Sequence, residues 1–166
     1  MLRITKAEEH ALRLIMRLAR QSDQRTLAEL ARQELLPEPT VAKLLGRLRD
    51  GGLVTAVRGR HGGYELALPP ARISVAGVLG ALKRPLLAAH TCQDGRRAVD
   101  PCPRLADCGL RPVWAQVEAQ ITDLLNGITI ADLLQAEGRV RERIAALWPR
   151  PEAPGEPLPV LAGPRS

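Results

Sequence analysis

Twice within its first thirty residues the chain sets a threonine three positions ahead of a glutamate, at Thr5 and Glu8 and again at Thr26 and Glu29. At that spacing each side chain can accept the other residue's backbone N–H, so each pair marks the start of a helix. Leu12, Ile15, Met16 and Ala19 recur at helical intervals after the first pair, predicting a helix over about 6–20. The second pair opens a shorter helix through about Gln33, and "LLPEP" then turns the chain. Val41, Leu44, Leu45 and Leu48 form the apolar stripe of a third helix, ended by Asp50-Gly51-Gly52. Beyond it "LVTAV" and "YELAL" flank "RGRHGG", a hairpin closed by Pro69-Pro70. Helix, short helix, turn, helix, hairpin is the order of a winged helix-turn-helix, whose third helix enters the major groove of DNA.

The third helix has the chemistry for that task. Thr40, Lys43 and Arg47 fall opposite the leucine stripe, offering a hydroxyl and two cations. Thr40 and Lys43 are candidates for base contacts, and Arg47 for a base or a phosphate. Arg58, Arg60 and His61 crowd the hairpin turn, where Gly59, Gly62 and Gly63 let the backbone bend closely, as a wing contacting phosphate or the minor groove requires. A basic outer face is by itself only a solvated surface; the helix and the wing together make double-stranded DNA the expected partner. Charge agrees: residues 1–72 hold 13 Lys/Arg against 8 Asp/Glu, net +5, whereas residues 73–166 hold 11 against 10, net +1.

Residues 73–111 hold a short helix from Val75 to Leu82, capped by Ser74, and then a loop with every cysteine in the chain. Residues 112–137 begin with a long helix, about 112–126, in which Val113, Trp114, Val117, Ile121, Leu124, Leu125 and Ile128 form an apolar stripe that needs a partner surface. Thr129 caps the short helix after it. Residues 138–166 are a C-terminal extension, with another helical turn or two from Arg139 to Trp148 and six prolines in its last eighteen residues, which predicts disorder from about 149. Phe is absent and the rings are Tyr64, Trp114 and Trp148, so aliphatic side chains must fill the core of a mostly α fold with one small β-hairpin. No apolar run suits a membrane span and the N-terminus lacks signal-peptide pattern, so the expectation is a cytoplasmic protein with no membrane partner.

Cys92, Cys102 and Cys108 follow the spacing C-x9-C-x5-C. Separations this wide cannot share one helix face, so the thiolates would converge from an irregular loop around a soft acceptor: zinc, copper(I) or an iron–sulfur cluster. Arg96, Arg97, Arg104 and Arg111 surround them with positive charge, offset in part by Asp94, Asp100 and Asp107. A structural zinc site would show a close C-x2-C pair, and none is present. Three unmodified thiols is the plain alternative.

Taken in order, "RITKAEEHALRLIMRLA", "RLRDGGLVTAVRGRHGGYELA", "ISVAGVLGAL", the three cysteines before a Trp-containing helix, and "NGITIADLLQ" resemble the Rrf-two family of winged-helix transcription regulators, the group of IscR, NsrR and RirA, over about residues 1–137. The resemblance implies a homodimer in which the long helix crosses its twin, burying Trp114, Val117, Ile121, Leu124 and Leu125. It also implies an iron–sulfur cluster, 2Fe-2S or 4Fe-4S, held by Cys92, Cys102 and Cys108, whose state changes operator binding. IscR-like members carry a His three residues after the last cysteine; Arg111 stands there in this chain and cannot ligate, because guanidinium stays protonated. Other members use an acidic residue at the start of the first helix, supplied by the partner subunit. The matching position is Glu9, although a first-turn acid is also what the helix dipole favours.

The expected function is a repressor whose cluster senses nitric oxide, redox state or iron status. A cluster-free thiol switch or a zinc-bound regulator stays open beside it. An enzyme is not expected, since no paired-acid, Ser-His-Asp or phosphate-loop pattern occurs. An iron–sulfur electron carrier would normally show four cysteines and has no need of a basic wing.

Overall fold

The first threonine–glutamate pair folds as its spacing requires. In the computed structural model, which describes residues 4–20, 23–59, 62–83 and 108–148, Thr5 Oγ1 accepts from the Glu8 backbone N–H at 3.4 Å. The Glu8 carboxylate in turn accepts from the Thr5 N–H at 2.6 Å. Helix α1, Lys6–Ala19, begins there. The second pair opens α2, Leu27–Glu34, with the same reciprocal bonds. Leu35 takes a left-handed conformation that ends α2, and α3, Glu38–Asp50, starts with Pro39 in its first turn, where a missing N–H costs nothing.

Strands β1, Val54–Val57, and β2, Gly63–Leu66, pair antiparallel with Val54 opposite Leu66 and Val57 opposite Gly63. The sequence predicts two strands; the structure adds a bridge to them from the segment between α1 and α2. Arg25 N–H donates to Tyr64 O at 2.9 Å and Tyr64 N–H to Arg25 O at 2.7 Å. Gly63 makes this approach possible, because a Cβ there would lie 2.6 Å from the Arg25 carbonyl oxygen.

After a short 3-10 turn at Pro70–Arg72 come α4, Val75–Ala81, α5, Leu110–Gly127, α6, Ile130–Leu133, and α7, Glu137–Leu147. The last is an eleven-residue helix where the sequence predicts one or two turns. Leu14, Ile15, Leu30, Val41, Leu45, Leu48, Val54, Ile73, Val78 and Ile130 are fully buried and join α1, α2, α3, β1, α4 and α6 in one aliphatic core. Val75 N–H donates to Ile128 O and Ile130 N–H to Ile73 O, so α6 is stitched back onto this head by two backbone bonds.

A second, smaller cluster of Val75, Leu79 and Ile128 receives Leu124 and Leu125 of α5 and Leu147 of α7. The stripe on α5 therefore divides. Its C-terminal part packs within the chain, whereas Leu110, Val113, Trp114 and Val117 stay 36–61% exposed. Among the described residues no helix is long and apolar enough to cross a membrane.

Candidate nucleic-acid interface and cysteine segment

Helix α3 buries Val41, Leu44, Leu45 and Leu48, which fixes the direction of its opposite face. Lys43 is exposed there and Thr40 is half-buried. Arg47, on the same face, is half-buried and lines a cleft of about 500 Å³ with Asp50, Ala81, Leu82 and Lys83 at the ends of α3 and α4. Thr40 and Lys43 thus lie toward the N-terminal half of the helix, and Arg47 lies where α4 meets it. Lys83, exposed beside that cleft, is not legible from sequence as a neighbour of α3, because only tertiary packing brings it there.

The hairpin carries Arg58 to an exposed position at the end of β1. Gly59 follows with φ +129°, a backbone state that side chains rarely adopt, and its carbonyl accepts from Gly62 N–H at 2.9 Å. The turn therefore depends on glycine. Arg60 and His61 at its tip lie outside the described residues, as do Cys92 and Cys102.

Cys108 is half-buried just ahead of α5, and its carbonyl accepts from Arg111 N–H at 3.2 Å. The two glutamates that open α1 differ in what they are left free to do. Glu8 is buried, and its carboxylate is engaged by both the backbone N–H and the hydroxyl of Thr5. Glu9 is 62% exposed, with Arg13 Nη1 at 4.0 Å. Among the described residues no three His, Cys, Asp or Glu side chains gather within one chain as a metal site.

Arg13 also reaches the other way. Its Nε donates to Glu34 Oε2 at 2.9 Å, while Arg17 Nε donates to Glu34 Oε1 at 2.7 Å. Glu34 is 4% exposed at the end of α2, so two arginines of α1 neutralise one buried carboxylate of the next helix. Breaking such a pair from one side strands a charge where water reaches it poorly. Sequence reasoning misses this link, though a signal exists: Glu34 continues the apolar phase of Leu27, Leu30 and Ala31 at i+7. The open charged face of α1, the buried link to α2 and the exposed face of α3 are consecutive parts of one head.

Comparison with known proteins gives this arrangement a context. A family model, "Rrf2: Iron-dependent Transcriptional regulator", matches residues 4–136. An rrf2-like HTH-type transcriptional regulator of Rhodobacter capsulatus is 32% identical over 141 residues, covering 80% of this chain and 93% of that protein. The HTH-type transcriptional regulator IscR of Vibrio cholerae is 29% identical over 140 residues, covering 80% and 75%. Among solved structures, T. potens IscR superposes with TM-score 0.62 at 26% identity, over 84% of this chain and 96% of the other. CymR, the global cysteine regulator of B. subtilis, gives 0.61 at 25% identity, over 81% and 97%.

Proposed function

This chain belongs to the Rrf2 family of DNA-binding transcription regulators, and on that premise we propose that an iron–sulfur cluster on its cysteine segment controls how the protein holds an operator. It acts as a cytoplasmic homodimeric repressor and carries out no catalysis. Thr40 and Lys43 read bases in the major groove, Arg47 reaches a base or a phosphate, Arg58 holds phosphate, and Arg60 and His61 extend the wing.

The donor set suits the cluster. Cys92, Cys102 and Cys108 supply three thiolates, and Glu9, reaching across from the other protomer, supplies the fourth ligand. The observation that carries this choice is the division between two adjacent acids: Glu8 is consumed by the helix cap, whereas Glu9 is exposed. When bound, the cluster would supply a centre that oxidants or nitric oxide can attack and that iron scarcity would leave unassembled.

The chain's own residues connect such a ligand to the reading head. Arg13 stands between Glu9 at 4.0 Å and Glu34 at 2.9 Å. Drawing Glu9 toward a ligand changes the charge balance around Arg13, and Arg13 with Arg17 ties α1 to α2. A coupling of this kind shifts DNA affinity by about 1–3 kcal/mol, and only by the difference in ligand affinity between two arrangements. A cluster-free thiol switch is the second reading, favoured by the likeness to CymR.

Anaerobic purification with iron and sulfide quantitation tests the cofactor, and Cys92→Ala, Cys102→Ala and Cys108→Ala each abolish its visible absorption. Glu9→Ala leaves the three thiols and loses cluster faster under oxidant. Holoprotein and apoprotein differ in affinity for the same promoter fragment. Iron at background level in wild-type protein, with a thiol-dependent change in DNA affinity, replaces this reading by the second.

A further inference from the structure

Helix α7 begins at Glu137, directly after the residues that the family model matches. It is pinned to the chain by polar contacts. Arg143 Nη2 donates to Gly127 O at 3.1 Å, at the C-terminal end of α5, and Arg143 Nε stands 3.9 Å from Asp132 of α6. Leu147 fills the space a side chain at Gly127 would occupy, completing the small cluster around Leu124 and Ile128. These contacts use one apolar residue of α7. Ile144 within α7 remains 40% exposed, and Trp148, the residue that caps its C-terminus, 41%.

Their location is specific. Trp148 lines a cleft of about 480 Å³ with Leu147 and with Gln120, Asp123 and Leu124 of α5. Gln120 lies three residues beyond Val117, so this cleft borders one edge of the helix face that carries the exposed Leu110, Val113, Trp114 and Val117. A stable interface needs about 800 Å² from each partner. Four partly exposed side chains on one helix supply on the order of half of that. Trp148 at that edge, with Ile144 one turn before it in α7, adds exposed apolar area toward the requirement, and tryptophan is among the residue types that most often anchor such contacts.

We propose that α7 is a clasp of the homodimer: Ile144 and Trp148 of each protomer are covered by a second copy of this chain, as an extension of the α5 interface. This rests on the homodimer reading above, and the experiment separates the two. The chain has two tryptophans, Trp114 and Trp148; Trp114→Phe keeps an aromatic ring on the α5 face and leaves Trp148 as the sole indole reporter, and its own dimer dissociation constant is measured beside that of wild type to fix the concentrations used. In anaerobic full-length protein the Trp148 emission moves to shorter wavelength as concentration rises through the association range. Emission that stays blue-shifted when Val117→Asp is added and the protein sediments as a monomer means that the chain itself covers Trp148, and emission that is equally red in dimer and monomer means that nothing does; either overturns the clasp.

Sedimentation equilibrium supplies the second readout. Ile144→Ala with Trp148→Ala raises the dimer dissociation constant by about tenfold or more. Arg143→Ala, which frees α7 without touching its apolar residues, raises it in the same direction. Val117→Asp tests the α5 face itself. Dissociation by Val117→Asp with a wild-type constant for the α7 variants removes the clasp and keeps the homodimer; a wild-type constant for Val117→Asp moves the dimer off the α5 face and with it removes the clasp; and no association of wild-type protein at any concentration removes the homodimer itself.

Discussion

Helices α1 and α5 are both amphipathic, yet they use their apolar faces differently. In fourteen residues α1 buries Glu8, Ala11, Leu14, Ile15 and Leu18, and it touches α2, α3, α4, α6 and β2. In eighteen residues α5 buries none, and its main contacts are with α4 and α7. The reading head therefore has its own hydrophobic reason to fold, whereas α5 presents apolar side chains whose burial needs something outside the described chain. On the proposed reading that division is useful, because a surface that pairs copies could be rearranged without melting the winged-helix head.

The largest expected effect lies at the centre of the head. Leu14→Ala removes a fully buried side chain between α1 and the rest of the core, and it lowers the free energy of unfolding by about 2–5 kcal/mol. Val113→Ala on α5 changes it by less than about 0.5 kcal/mol at a concentration where the protein is monomeric. Urea unfolding of both variants measures the difference. Comparable losses would show that α5 shares the head's core and would break the comparison.

The head is also the part most legible in the sequence, because its rules are local. The pairs Thr5–Glu8 and Thr26–Glu29 act over three residues, and the period of Val41, Leu44, Leu45 and Leu48 identifies a face without reference to anything distant. Thr129 is legible as a cap, while the reciprocal bond from Asp132 shows only in the structure. What stays hidden is tertiary. The single rung between Arg25 and Tyr64 has no periodicity to betray it. Arg143 of α7 meets the end of α5, a contact the sequence does not announce, and "EGRVRER" by itself reads as a polar, glycine-bearing stretch. The stripe on α5 is visible, but not that α4 would claim Leu124 and Leu125 while leaving Val113 and Trp114 exposed. For the candidate site, Lys43 can be placed from sequence because it lies on the open side of a regular helix, and Arg58 because it falls just past the end of β1 in the hairpin turn. The pairing of Arg13 and Arg17 with Glu34 cannot, since it joins residues 21 and 17 positions apart.

A smaller effect distinguishes the two regions by function. Lys43→Ala leaves the fold intact and weakens binding to a promoter fragment by about 1–3 kcal/mol. Arg58→Ala lowers the dependence of log affinity on log salt by about one unit of slope, the signature of one lost phosphate contact. Arg141→Ala, on the exposed side of α7, changes neither, although it carries the same charge. Titrations at several salt concentrations compare the three. An equal effect from Arg141→Ala would mean that DNA responds to overall charge and not to the face of α3 and the wing.

The smallest expected effect sits where the two regions join. Asp132 accepts from the Thr129 backbone N–H at 2.8 Å and from its hydroxyl at 2.7 Å, and Arg143 of α7 is nearby. The backbone bond is the main cause, with the side-chain bond and Arg143 adding to it, of a carboxyl held below the ordinary aspartate value of 3.8. Folding therefore favours the ionised form. Its contribution is complete above pH 3.8 and is lost as pH falls through the lower folded value. Glu29 behaves alike within the head, held below 4.5 chiefly by the Thr26 backbone bond, but its bonding partner lies at the start of α2, away from α7. Asp132→Asn should thus remove under about 1 kcal/mol at neutral pH, since the carboxylate is partly solvated. It should flatten the acid limb of the stability curve and weaken the clasp slightly through Arg143. Glu29→Gln flattens the same limb without altering association, and an association constant equally changed by both variants would dissolve the boundary between head and α5.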